Sequence, residues 1–394
     1  MKDVVLVSAV RTAIGDFGGS LRDFTPTDLG VATAKAAIER AGIPADDIDQ
    51  AFYGNVIHTE PADMYVARTI ARGAGVADRA PAVTANRLCG SGLQAVVSAF
   101  HALTLGDAET ALAGGAECMS RSGYMLPSLR WGKKMGNSEV VDMMTAALTD
   151  PFGNGHMGVT AENVAEKYQI TREEQDAFAV ESHRRAARAT EAGLFDGQIV
   201  PMTIKSRKGD TVFKTDEHIR ADASLESMAK LRAVFREGGR VTAGNASGIN
   251  DGASSIVMMT EEAATKRGVS PMARIVSYGH AGVDPALMGI GPVPAMQIAL
   301  AKAGLTVDDL DVIESNEAFA AQACAVTKEL GLDPAKVNPN GGAVAMGHPI
   351  GASGAIIATK LLHELERTGG KYGAATMCIG GGQGIALIVE NLKR

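Results

Sequence analysis

Several residue types are scarce in this chain of 394 residues. Cysteine occurs four times, at Cys89, Cys118, Cys324 and Cys378. That is too few for a disulfide scaffold, and no two form a CxxC pair, so a structural zinc site is not expected. Tryptophan occurs once and aromatic residues make up only 4%, which excludes a core built on large rings. Positive charge is also short: 38 Lys and Arg face 45 Asp and Glu, a net charge of −7. Such a balance disfavours general binding to nucleic acid or to an anionic membrane surface. No apolar run is expected to approach the roughly 18 residues of a membrane span. Neither end carries a signal-peptide or peroxisomal pattern, and a reducing, bacterial-type cytoplasm is the expected setting.

Apolar residues make up 46% and charged residues 21%, a globular composition. Glycine is abundant, 46 of 394, which suits tight turns and close backbone approaches. The length suggests two or three units, and an internal duplication says how they arise. Residues 36–49 (AAIERAGIPADDID) match residues 298–311 (IALAKAGLTVDDLD) at six of 14 positions, an offset of 262. Both windows read as an amphipathic helix, an Ala-Gly stop, a turn and a strand. The same offset carries Ser91-Gly92 onto Ser353-Gly354, and His101 and Leu103 onto His363 and Leu365. Four further residues of offset bring Ala113-Gly114-Gly115 onto Ile379-Gly380-Gly381.

Each copy alternates strands and helices, the pattern of an α/β unit with mainly parallel pairing. The first spans 1–120 with a return at 250–268, where residues 254–259 (SSIVMM) read as a buried strand. The second spans 269–394. The intervening 121–249 reads as an inserted loop domain, suited to a lid or substrate-holding role. It carries a helix over 171–193 that opens with a Thr171–Glu174 capping box.

Four segments carry reactive side chains. In residues 86–93 (NRLCGSGL), Cys89 sits where a strand gives way to a helix, whose N–H groups and dipole favour a thiolate; a buried structural cysteine is the alternative. In residues 347–354 (GHPIGASG), the 262 offset sets His348 against Asn86 and Gly351 against Cys89. The copies thus present different groups at equivalent turns, and packing them together can bring His348 to Cys89 as an activated Cys–His pair. A hydrogen-bonded core histidine is the competing reading, and the remaining histidines, His218 among them, read as structural or surface residues. In residues 378–384 (CIGGGQG), Cys378 precedes bare backbone N–H groups able to hold an oxyanion. A phosphate loop would need the Lys-Ser/Thr that this run lacks. In residues 314–320 (ESNEAFA), Asn316 can orient a water or donate to a developing charge, although Asn at a strand end is often a turn residue. In the insertion, Arg207, Lys208, Arg220, Lys230, Arg232 and Arg236 form a local basic patch.

Together with residues 10–15 (VRTAIG), 158–163 (GVTAEN) and 241–247 (VTAGNAS), these segments resemble the thiolase family, the acetyl-CoA C-acetyltransferases and β-ketothiolases, over essentially the whole chain. One departure is Ser315, where the family usually has Ala; a hydrogen bond from its hydroxyl is expected there. The resemblance implies two α/β halves in a five-layered αβαβα fold. It implies reversible condensation of two acetyl-CoA and thiolysis of short- to medium-chain 3-ketoacyl-CoA through an acyl-cysteine. Cys89 would be the nucleophile, His348 its base and Cys378 the acid/base. The Cys89 and Gly380 N–H groups would hold one oxyanion, and His348 with an Asn316-bound water the other. Arg220, Ser227, Ser247, Ala243, His156, Met157 and Phe319 would bind CoA and the acyl group, with Met288 in the acyl-pocket wall. CoA as substrate and no metal or other cofactor is implied, as is a homotetramer whose interface would use residues 124–144. A decarboxylative condensing enzyme would pair the cysteine with two histidines, or with His and Asn; Cys378 argues against it. A non-catalytic acyl-CoA-binding protein on this scaffold would have lost one of the three reactive residues.

Overall fold

The fold is that of a computed structural model, of which residues 2–393 are described. Strand β1 (Val4–Thr12) is buried along its whole length, as a near-continuous apolar strand covered on both faces must be. The elements that build the frame follow in order. They are α1 (Pro26–Ala41), β2 (Gln50–Gly54), β3 (Ala82–Ala85), α2 (Ser91–Leu105) and β4 (Thr110–Cys118). After the insertion come β5 (Asn250–Thr260), β6 (Ala273–Gly282), α3 (Pro292–Ala303), β7 (Val312–Ser315), α4 (Ala320–Leu330), α5 (Ile350–Thr368), β8 (Tyr372–Ile379) and β9 (Gln383–Asn391).

The strands run in the order β7-β8-β9-β6-β1-β5-β4-β2-β3. The junction is a two-residue antiparallel contact of β1 with β6, Val5 opposite Arg274 and Leu6 opposite Ala273. On either side of it the pairing repeats. β1, β5, β4 and β2 correspond to β6, β9, β8 and β7, with the same sequence of antiparallel and parallel pairs. Even the irregularity recurs: register shifts between Leu6 and Ser8 in β1 and between Ile275 and Ser277 in β6. Helices α1 and α3 both end on a left-handed glycine, Gly42 and Gly304, each at φ 67° and ψ 29°, a conformation glycine adopts without steric cost.

The pairing corrects one expected correspondence. Gln50 lies opposite Ala111 and Val312 opposite Gly373, so β4 maps onto β8 at the plain 262 offset. Gly115 is therefore equivalent to Met377, not to Gly381. Short runs of Ala and Gly match at several offsets; hydrogen-bond register does not.

Helices α2 and α5 lie between the two half-sheets, where residues such as Leu93, Val97, Leu361 and Leu365 share one core with strands of both copies. α1 covers the first half-sheet from outside, and α3 and α4 cover the second. This is the five-layered α/β arrangement. The central helices approach closely because both carry glycine at the crossing. A Cβ on Gly92 would stand 2.7 Å from the Ala355 nitrogen, and one on Gly354 would stand 2.2 Å from the Leu93 nitrogen. These are equivalent pairs at the 262 offset, so the contact is reciprocal. Contrary to the expectation of no membrane-length apolar run, Leu88–Leu105 reaches 18 residues at a mean hydropathy of 1.4. Burial between the two half-sheets accounts for that composition: 56% of the segment is buried.

Residues 121–249 hold two longer helices, Met157–Lys167 and Arg172–Glu191, and three small hairpins. The Thr171–Glu174 capping box is formed as expected. A bidentate ion pair ties the segment to β1, with Arg11 Nη1 and Nη2 at 2.7 and 3.0 Å from Asp216 Oδ1 and Oδ2, both side chains fully buried. Within 124–144, Tyr124, Leu129, Trp131 and Met135 stand largely in solvent, Trp131 at 90% exposure.

Candidate active site

The site forms where one turn from each copy faces the opposite copy. Between β3 and α2 the chain reverses through Leu88, a non-glycine residue at φ 46°, a conformation costing about 1–2 kcal/mol. Asn86 Oδ1 accepts the Leu88 N–H at 3.1 Å. Ser91 Oγ accepts the Arg87 N–H at 2.8 Å and donates to Leu88 O at 2.6 Å. Cys89 follows and is half-buried. Burial pushes its thiol up to about 11, against the pull of the Gly380 N–H and its own N–H, with the Glu117 carboxylate adding to the rise. The helix N-terminus therefore does not make a resting thiolate, contrary to the sequence expectation, and Cys89 needs a base.

His348 lines the same cavity as Cys89 and has the chemistry of a base. Its Nδ1 lies 2.6 Å from Ser353 Oγ, and that hydroxyl donates to Pro349 O at 2.9 Å. The serine must then accept from Nδ1–H, leaving Nε2 as a bare acceptor. Nε2 is buried and has no protein partner. The His348 N–H is held by Asn250 Oδ1 at 2.9 Å. Burial lowers the imidazole to about 4, so it is neutral at physiological pH and able to take a proton. Cys378, near the end of β8, is 1% exposed. Its thiol is pushed well up by burial first and by the Cys89 charge second, and both cysteines line one cavity.

Cys89, His348, Cys378 and Gly380 all line one cavity of about 550 Å³. Along its walls stand His156, Met157, Met288 and Phe319, and toward solvent Ala243, Ser247 and Arg220. The His156 ring is stacked on Phe235 at 4.9 Å, and Phe235 meets Phe319 edge-on at 6.2 Å. The cavity is mostly apolar with a cation toward its mouth, which suits a long flexible arm ending in an anion.

Two expected residues lie elsewhere. Ser227 is exposed, and its hydroxyl donates to Ser224 O at 2.8 Å within the capping box of the short helix Leu225–Ala229. Asn316 lines a separate buried cavity of about 20 Å³, with Glu314, Ser315, Gly347 and Ser353. Its N–H donates to Thr376 O at 2.9 Å and its Nδ2 has no protein partner. Room and polar lining suit one water, and Ser353 connects this cavity to His348. The Ser315 hydroxyl makes no hydrogen bond to protein, so the one expected there is not formed. Of the basic patch, only Arg220 lines the main cavity. Lys230 pairs with Glu226 at 2.7 Å and Arg236 with Glu166 at 3.1 Å; Arg207, Lys208 and Arg232 are exposed away from it.

Sequence reasoning missed Phe235, which no motif flags, and misplaced His218. That residue lines the cavity with its Nδ1 bonded to Asp16 Oδ1, and Asp16 in turn accepts from Asn250 Nδ2 at 3.2 Å. Among the described residues no group of three His, Cys, Asp or Glu is placed to hold a metal ion.

Residues 4–262 match the family model for the thiolase N-terminal domain, and residues 269–391 that for the C-terminal domain. The chain is 61% identical to "Beta-ketothiolase BktB" of Cupriavidus necator over 99% of its own length and all of that protein's. It is 51% identical to "Acetyl-CoA acetyltransferase" of Syntrophomonas wolfei at the same coverage. Human mitochondrial 3-ketoacyl-CoA thiolase superposes with a TM-score of 0.97 at 44% identity, covering 99% of each chain; that protein has also been solved with CoA.

Proposed function

The chain belongs to the thiolase family, and from that premise we propose how its residues divide the reaction. The enzyme condenses two acetyl-CoA into acetoacetyl-CoA and CoA, and in reverse cleaves short- to medium-chain 3-ketoacyl-CoA with CoA. The observation that carries the assignment is the single cavity holding Cys89, His348, Cys378 and the Gly380 N–H.

In the first half, His348 Nε2 takes the Cys89 proton as the sulfur attacks the thioester carbonyl. The Cys89 and Gly380 N–H groups receive the oxyanion, each donor contributing on the order of 3 kcal/mol. The tetrahedral species collapses, the carbon–sulfur bond to CoA breaks, and Cys378 protonates the leaving thiolate. Acyl-Cys89, a protonated His348 and a Cys378 thiolate remain. In the second half that thiolate removes the α-proton of another acyl-CoA. Burial makes it a strong base, which a weakly acidic carbon requires. His348, now a donor, stabilises the enolate oxygen, and a water held by Asn316 joins it only if the small cavity behind His348 opens to the main one. The enolate carbon attacks acyl-Cys89, the Cys89 thiolate leaves, and His348 returns its proton. Every group ends as it began, so no metal or cofactor beyond CoA is needed.

Arg220 and Ser247 hold the nucleotide end of CoA in this reading, His156, Met157, Ala243 and Phe319 line its arm, and Met288 bounds the acyl group. Ser227 belongs to the same proposal only if its helix moves, since its hydroxyl is committed to Ser224. The exposed apolar residues of 124–144 support a homotetramer, and a stable monomer by light scattering would remove that. The direct test of the chemistry is mass spectrometry after incubation with acetyl-CoA. One acetyl group should map to Cys89, and an adduct on any other residue overturns the assignment.

A further inference from the structure

Arg87 lies two residues before Cys89, and burial lowers the proton affinity of its guanidinium. A partly buried charge is normally met by an acid. This one is met by neutral groups: Nε donates to Gln383 Oε1 at 3.1 Å, and Nη1 to Gln94 Oε1 at 2.9 Å and to His280 Nδ1 at 2.7 Å. The partners belong to three elements, α2 and the strands β9 and β6 of the second copy. Nothing in this set resembles a surface ion pair.

The position of Gln383 gives the arrangement meaning. It is the first residue of β9, paired with Ile379 across the Gly380-Gly381-Gly382 turn. That turn presents the Gly380 N–H to Cys89. The two turns are also packed tightly. A Cβ on Gly380 would lie 2.9 Å from Leu88 Cδ1, and one on Gly90 would lie 2.4 Å from Ile379 Cδ1. Leu88 is held at positive φ in the same turn, a conformation that persists only when its surroundings over-determine it. Arg87 thus spans the gap between the nucleophile turn of one copy and the N–H-bearing turn of the other. We propose that Arg87 is a positioning residue which, through Gln383, sets Cys89 against the Gly380 N–H and so assembles the acylation oxyanion site. The proposal rests on the thiolase reading of that site.

The role separates two reactions of the same sulfur. Acyl transfer from acetyl-CoA builds an oxyanion beside Gly380, whereas alkylation by iodoacetamide does not. For Arg87→Met, pre-steady-state acetylation of Cys89 should fall about 10²- to 10³-fold, the loss seen when one oxyanion donor is removed. KM for acetyl-CoA and the alkylation rate should stay near wild type. Gln383→Ala should move acetylation in the same direction, Gln383→Glu should recover most of that loss by keeping an acceptor for Arg87, and the Arg87→Met/Gln383→Ala double variant should be no slower than Arg87→Met. If Arg87→Met does not fold, the two Gln383 variants decide. Acetylation and alkylation falling together, or Gln383→Ala acetylating at the wild-type rate, would overturn the strut. A wild-type enzyme that never acetylates Cys89 would instead remove the thiolase reading on which the strut depends.

Discussion

A thiol raised to about 11 beside an imidazole lowered to about 4 is a neutral pair at rest, and this sets the pH behaviour of the site. His348 accepts a proton only while unprotonated, so acylation should hold as pH falls below the usual imidazole value of 6.5 and fail only near pH 4. Acetylation rates measured from pH 4 to 8 check this, and an inflection near 6.5 would contradict it. Alkylation of Cys89 should climb toward pH 11 with no plateau near 9, and His348→Asn should slow it at pH 7. At the same scale Met288, 3% exposed in the cavity wall, should limit chain length. Met288→Ala should raise kcat/KM for the C8 relative to the C4 3-ketoacyl-CoA, each added methylene bringing up to about 0.8 kcal/mol; a fixed C8/C4 ratio would take Met288 off the acyl path. That Cys89, His348 and Cys378 would meet was legible because each sits in its own glycine-rich run. His218 and Phe235 were not, since a cavity wall is gathered from distant segments whose residue types are ordinary.

At the level of elements, the crossing of α2 and α5 joins fold to site, because Cys89 precedes one helix and His348 the other. Gly92 and Gly354 are needed there for space and not for backbone conformation, since neither has positive φ. Gly92→Ala would press a methyl group on the Ala355 nitrogen, and overpacking of this kind costs about 1–3 kcal/mol. The urea midpoint should fall, and acetylation should slow as the helices part. Substituting Gly123, which has nothing within 4 Å of an added Cβ, should leave both unchanged. The duplication was readable at this crossing because close contact demands the same Ser-Gly pair in each copy. It was misread in β4, where alanine and glycine satisfy many registers and only the ladder with β2 selects one.

Over the whole molecule, two like halves produce one reactive centre, and the other equivalent junction shows what replaces it. At the 262 offset Gly351 stands for Cys89, and Glu117 for Ile379, the neighbour of Gly380. The same turns meet in both places, with side chain and backbone exchanging roles. Glu117, fully buried, accepts the N–H groups of Val56, Ile57 and Gly351 at 3.0, 3.1 and 2.8 Å and the Asn55 amide at 3.1 Å. Burial nevertheless raises its carboxyl to about 8 against the pull of those donors, and Asp63 adds to the rise. A folded value above the unfolded one means the native state binds more protons over roughly pH 4.5 to 8. This group's contribution to stability is therefore full below about 4.5 and is lost as pH rises toward 8. Glu117→Gln should remove that slope and lower stability chiefly above about pH 8, where the native carboxylate accepts from all four donors and an amide NH₂ must face one of them, a mismatch of about 1–3 kcal/mol. Glu117 also raises the Cys89 thiol, so the same substitution should move the alkylation profile of Cys89 to lower pH. Chemical denaturation and iodoacetamide kinetics across pH 5 to 10 read the two effects separately. If stability falls but the alkylation profile stays in place, Glu117 only braces the turn, and the charge of the silent junction does not reach the reactive one.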